Sequence, residues 1–221
     1  MKGSKFPFVL IALAFAALPI QGMADIVFTA RPAIDGATYG CPMVVELRWQ
    51  NRGQTVESVD IGTDQRGGID VITSDEKVHH NQRVRAGLPK TVWNVPIQPG
   101  KSLEMVVLLD EWISLNEGHN SFAFAMSGGG GPMQAKLELD VKKNSPEACM
   151  TVLSQLIRAA NSTRNWNLKF GYLDAISRVY RSSEAGKKVV IETCNSLGFK
   201  NFHAEVQKYL REKQAGENAI D

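Results

Sequence analysis

The chain has 221 residues, 43% hydrophobic and 22% charged, with 25 Lys and Arg against 23 Asp and Glu. That balance excludes a disordered tail. The formal charge of +2 traces to Lys2 and Lys5 in an acid-free leader, so the rest of the chain sums to zero and has no bulk attraction for nucleic acid or anionic lipid.

Residues 1–24 carry the three parts of a secretory signal peptide. Lys2 and Lys5 charge the start, an apolar run extends from Phe6 to about Ile20, and Gly22-Met23-Ala24 places small residues where a signal peptidase reads. The run is shorter than the ~20 residues of a membrane-spanning helix and contains Pro7 and Pro19. Cleavage is predicted between Ala24 and Asp25. No Cys follows the cleavage site, which argues against a lipoprotein, and no later apolar run is long enough to span a bilayer. The expected destination is the periplasm or the exterior, with a mature chain free of transmembrane segments.

From about Asp25 to Val141 the apolar period is near two, the signature of strands with one buried face. Short candidates occur at Ile26–Thr29, Val56–Ile61, Ile69–Thr73 and Thr91–Val95. Val45, Leu47 and Trp49 alternate with Glu46, Arg48 and Gln50, which predicts a wet second face. Leu103, Met105, Val107 and Leu109 line one face of a more buried strand, Phe122, Phe124 and Met126 another, and Met133 to Val141 alternates cleanly. Turns are marked by Asn51-Arg52-Gly53, Arg66-Gly67-Gly68, Gln98-Pro99-Gly100 and Asn116-Glu117-Gly118. Gly128–Gly131 is followed by Pro132 and a strand. A phosphate loop needs a helix at that point, so a hairpin tip is predicted there. Seven or eight short strands argue for an antiparallel β-sandwich over residues 25–141.

After a linker at 142–146 the period becomes 3.6. Ser145-Pro146-Glu147 reads as a helix start. One face of the first helix carries Cys149, Leu153, Leu156 and Ala160. The second carries Leu173, Ile176 and Val179–Tyr180. The third, from near Ser183, carries Val190, Cys194 and Leu197 and is stopped by Gly198; the fourth carries Phe202, Val206, Tyr209 and Leu210. The fold class is therefore all-β plus all-α: a β-sandwich, then a small four-helix module over 147–213 built as a bundle or a pair of helical hairpins, with a polar tail at 214–221. About 70 residues of helix are marginal alone, so stability is expected from a cross-link, the sandwich or a partner.

The three cysteines, Cys41, Cys149 and Cys194, permit at most one intrachain disulfide. Cys149 and Cys194 both lie on inward helix faces. Either they bridge, which would be worth about 3–4 kcal/mol, or they pack as separate thiols. Cys41, between Gly40 and Pro42, is then expected to stand alone.

The run Tyr39-Gly40-Cys41-Pro42-Met43-Val44-Val45-Glu46-Leu47 with Asn51-Arg52-Gly53 resembles the opening strands of immunoglobulin-like domains in secreted bacterial proteins. Ile97-Gln98-Pro99-Gly100-Lys101-Ser102, Leu109-Asp110-Glu111-Trp112 and Gly118 before Ser121-Phe122-Ala123-Phe124 look like the second half of such domains, in their proteinase-inhibitor-like branch. The helical end resembles short HEAT-like pairs. These resemblances imply an immunoglobulin-like fold and leave function open, because the shared features are turn and strand chemistry. No inhibitory-loop motif matches, and the Tyr usual after the Gly is absent at Gly118-His119-Asn120.

No constellation predicts catalysis, a cofactor or a metal. His79 and His80 would face opposite sides of a strand, wrong for chelating one ion, and they sit in a polar stretch read as a loop. Asp110 and Glu111, with His119 further on, form a carboxylate pair of the kind usually left solvated. Trp49, Trp93 and Trp112 are candidates for the sandwich core, and Trp166 for a cover over the helix seam or the domain junction, with sugar stacking as its functional alternative.

Charge divides more clearly than motif. Residues 25–141 hold 10 basic and 15 acidic side chains, whereas 142–213 hold 13 and 6. Arg158, Arg164, Lys169, Arg178, Arg181, Lys187 and Lys188 form a possible basic interaction surface toward another envelope protein or an acidic surface, against the reading that they simply face water. The sequence points first to an exported, non-enzymatic binding or scaffold protein. A proteinase inhibitor using sandwich loops and an envelope hydrolase with a site at the domain junction are the alternatives.

Overall fold

Apolar alternation in the first half does produce strands, and the helical period in the second produces helices. The computed structural model describes residues 25–61, 68–80, 94–128, 131–199 and 201–218. The leader, Trp93 and the Arg66-Gly67 turn lie outside the described residues.

The strands are β1 (Ile26–Pro32), β2 (Ala37–Thr38), β3 (Val44–Asn51), β4 (Glu57–Asp60), β5 (Ile69–Thr73), β6 (Val78–His79), β7 (Asn94–Ile97), β8 (Ser102–Leu108), β9 (Gly118–Gly128) and β10 (Gly131–Lys142). A three-stranded sheet runs β1-β3-β8, a five-stranded sheet runs β2-β10-β9-β5-β6, and β4 pairs with β7. The ladders are antiparallel except for the short β2–β10 pair. Gly131 stands opposite Gly128, so positions 129–130, which are outside the described residues, join β9 to β10. His79 is not in a loop: with Val78 it forms a short edge strand on β5.

Turn chemistry fixes these registers. The Lys101 amide donates to the Gln98 carbonyl across Pro99-Gly100, where φ of +72° at Gly100 suits only glycine well. Asn51 is fully buried; its Nδ2 donates to the Thr55 and Ile97 carbonyls while its Oδ1 accepts from the Gly53 amide.

The large sheets face each other across one core. Trp49 stacks on Phe28 with ring centroids 5.0 Å apart, and Trp112 meets Phe124 edge-on. Both buried indoles find acceptors, Met126 Sδ for Trp49 and the Ile69 carbonyl for Trp112.

Among the described residues four helices follow: α1 (Pro146–Ser162), α2 (Trp166–Ser182), α3 (Glu184–Ser196) and α4 (Phe202–Asn218). Ser145, Asn165 and Ser183 cap the first three with their side-chain oxygens. Gly198 ends α3 with φ of +79° and a Phe199 amide bonded back to the Cys194 carbonyl. The fourth helix continues past Lys213, to Asn218.

The helices do not enclose a core of their own. Val44 of β3 and Val106 and Leu108 of β8 belong to the helical core, while Val45, Leu47, Trp49 and Val107 belong to the inter-sheet core. The β1-β3-β8 sheet is therefore covered on both faces, and the molecule has three layers: sheet, sheet, helices. This corrects the expected wet face of β3. Val44–Leu47 are buried in succession, and Glu46 is buried with its Oε1 2.8 Å from Arg31 Nη2. That bond raises the Arg31 pKa above its usual value. Burial beneath the helices, with the Glu46 charge nearby, likewise raises the Tyr172 phenol.

The middle helix is the keystone of the outer layer. Gly171 to Ser177 are all buried, because α2 touches β8, α1, α3 and α4. A Cβ on Gly171 would lie 2.3 Å from the Val106 carbonyl oxygen. Glycine at this position lets the helix rest directly on the strand backbone.

Candidate functional site: the groove between sheet and helices

The outer layer leaves a half-open groove of about 650 Å³ at the C-terminal end of α2. Four segments build it. The Tyr39–Met43 segment forms one wall, and Asp110 with Ile113, Ser114 and Leu115 after β8 forms another. From α1 come Met150, Leu153 and Leu156, and the closing side is made by Val179 and Ser182 of α2 with Gly186 and Val189 of α3. The lining is mostly apolar, with hydroxyls from Tyr39, Ser114 and Ser182. Tyr39 and Met150 are each 47% exposed at its mouth. An apolar slot with a few placed polar groups is the usual form of a ligand or segment-binding site.

One end of the groove is charged. Arg178 Nη1 donates to Asp110 Oδ2 at 2.7 Å, and Nη2 donates to Glu111. Asp174, one helical turn earlier, stands 3.7 Å from Nη2 and accepts from Tyr209 Oη at 3.0 Å and Lys213 Nζ at 2.5 Å. This chain of ion pairs joins the turn after β8 to α2 and α4. Arg178 Nε is buried with no acceptor among the described residues. Asp110 and Glu111 are thus occupied as anchors for a helix. His119, the third group of the carboxylate cluster considered above, faces Asp140 at 3.0 Å.

The disulfide differs from the expected one. Cys41 is bonded to Cys149, and Cys194 is the free, buried thiol. The inward stripe of α1 explains the exchange of partners. Deep in the helix, at Leu153, Leu156 and Ala160, it faces the other helices. At Cys149, in the first turns, it meets the segment before β3. Cys194 sits further inside, and burial pushes its thiol up to about 11. Both bridged residues line the groove.

The possible basic surface is divided by the fold. Arg178 points inward, Lys169 pairs with Glu205 at 2.8 Å, and Lys187 and Lys188 lie within 3.8 Å of Glu184 and Glu192 respectively. Arg158, Arg164 and Arg181 are exposed and without ion-pair partners among the described residues. Trp166, 62% exposed, stands in the first turn of α2, and Phe170 in the next turn leans on Tyr209. His79 and His80 have separate partners, Thr73 and Asp70. Among the described residues no three His, Cys, Asp or Glu side chains are grouped to hold a metal, and no helix is long and apolar enough to cross a membrane.

No family model and no curated protein matches the chain. Among solved structures, it is similar to a β-glucosidase from Listeria innocua in complex with glucose, at 13% identity and a TM-score of 0.29, covering 53% of this chain and 16% of that one. Spo0M, a sporulation control protein from Bacillus subtilis, gives 13% and 0.32 over 62% of this chain and 54% of that one. CopC from Methylosinus trichosporium OB3b gives 18% and 0.25 over 54% and 94%. The chain spans only about a sixth of the enzyme and half of Spo0M, and similarities this weak carry no functional argument.

Proposed function

We propose that the chain is an exported, non-enzymatic binding protein of the bacterial envelope, with an immunoglobulin-like sandwich as scaffold and the sheet–helix groove as its binding site. The observation that carries this reading is the groove itself: about 650 Å³, largely apolar and framed by the four segments that meet there. Its occupant is an apolar segment of a partner protein, which the exposed Met150 and Tyr39 would meet first. Methionine is suited to that task because its flexible thioether adapts to varied partners. The signal-peptide-like leader and the disulfide support an oxidising destination outside the cytoplasm.

A hydrolase at this junction would need carboxylates able to move protons. Asp110 and Glu111 instead each hold the Arg178 guanidinium, which favours binding over hydrolysis.

The test is capture of partners from the native envelope fraction by three proteins: the intact chain, Met150→Glu and a triple reversal of Arg158, Arg164 and Lys188. The groove reading expects Met150→Glu to lose the main partner at least tenfold and the triple reversal to keep it. The opposite pattern would move the interaction to the basic helix surface.

A further inference from the structure

The cross-link in the wall of the groove stands where chemistry can reach it. Cys149 is half-buried and Cys41 buried, and both border the open volume. Beyond the β2–β10 ladder, which ends at Lys142, and the Ser145 cap, little else fastens the start of α1. Pro146, Glu147, Met150 and Thr151 are exposed, and the buried residues of the helix begin only at Val152. The bridge therefore holds the first turn of α1 against the segment before β3, across 108 residues of sequence. Asn144 completes the arrangement. Its Oδ1 stands 3.4 Å from Cys149 Sγ, in place to accept a hydrogen bond from a thiol, and its amide packs against Gly40.

We infer that Cys41–Cys149 is a thiol–disulfide exchange site, and that its reduction by a dithiol opens the groove by releasing the first turn of α1. The thiolate of the dithiol attacks the more accessible Cys149 Sγ. The Cys41–Cys149 bond breaks, a mixed disulfide forms at Cys149, and Cys41 leaves as a thiolate that takes up a proton. The second thiol of the reductant loses its proton and attacks its own mixed sulfur, so that Cys149 leaves and is protonated in turn. The protein gains two electrons and two protons, and the dithiol becomes a cyclic or intramolecular disulfide. Cys194 takes no part, being fully buried in the helical core away from the groove.

This regulation rests on the proposed use of the groove only in its consequence for binding; the exchange and the opening are read without a partner. The full chain is treated with dithiothreitol under native conditions, alkylated and weighed. Hydrogen exchange of residues 146–153 and fluorescence of the apolar probe N-phenyl-1-naphthylamine are followed on the same samples. The cysteine pair replaced by serines, Cys41→Ser with Cys149→Ser, gives the permanently open form. The expected result is two added alkyl groups on the reduced chain, at least tenfold faster amide exchange confined to the first turns of α1, and a several-fold rise in probe binding, the last two reproduced by the serine variant. A bridge that resists the dithiol until the protein unfolds would overturn the inference. So would full reduction with unchanged exchange at 146–153, or faster exchange with unchanged probe binding. Loss of envelope-partner capture as the only failure would count against the proposed function and leave the exchange site standing.

Discussion

The two cores of the molecule are built from different numbers of partners. The inter-sheet core draws its residues from strands and the turns that join them, and long strands such as β9 and β10 show half of that arrangement in their own alternation. The outer core is composite: helices supply most of it, but Val44, Val106, Leu108 and Cys41 come from the β half. A sheet with two buried faces acts as a shared wall, so damage to the outer core should loosen the helices while the inter-sheet aromatics stay packed. The fluorescence of buried Trp49 and Trp112 reports on the inner core and far-ultraviolet circular dichroism on the helices, which makes the contrast measurable.

The largest separation of the two is expected from cutting the cross-link. Replacing Cys41 and Cys149 by serine removes a 108-residue closure, worth about 4–5 kcal/mol in the chain-entropy treatment. Denaturant titration should show the helical signal melting ahead of the Trp49 signal. Next comes Gly171→Ala, whose new Cβ meets the Val106 backbone at 2.3 Å. A loss of about 3 kcal/mol is expected, read as a fall in Tm of about 6–12 °C.

Cys194 sharpens the comparison by pH. Its thiol pKa rises from the usual 9.0 to about 11 in the folded chain. A raised acid means that stability is complete below pH 9 and drains away between pH 9 and 11, by about 2 kcal/mol. Cys194→Ala should flatten that alkaline slope, whatever its effect at neutral pH. Arg178→Gln removes the helix anchor for Asp110 and Glu111 and should cost about 1–2 kcal/mol. The smallest effect is expected from Trp166→Ala, below about 0.5 kcal/mol, since that side chain is largely in water.

The inner core was legible because alternation is a local property. Phe122, Phe124 and Met126 could be placed on one face without knowing what covered it. The outer core was not, because its wall is non-local, yet two signals were present. Met105 to Leu109 is an unbroken apolar run, which a strand shows when both faces are covered. Gly171 interrupts a helical pattern, which marks a close approach by another backbone. Glu46 concealed the same fact, since an acid in an alternating strand reads as a wet position until Arg31 and Tyr172 are seen around it.

The disulfide failed to be legible for the same reason. Helical spacing aligned Cys149 with Cys194, but only docking on the sheet shows that the first turns of α1 leave the helical core and reach Cys41. The groove was likewise invisible, since its four walls lie far apart in the chain.

The shared wall is tested most directly by circular dichroism of residues 143–221 expressed alone, compared with the intact chain. Without Val44, Val106 and Leu108 to cover α2, the fragment should show little fixed helix and no cooperative melt. A fragment that melted cooperatively at the temperature of the intact chain would contradict the account, and the groove would then be a seam between two independent domains.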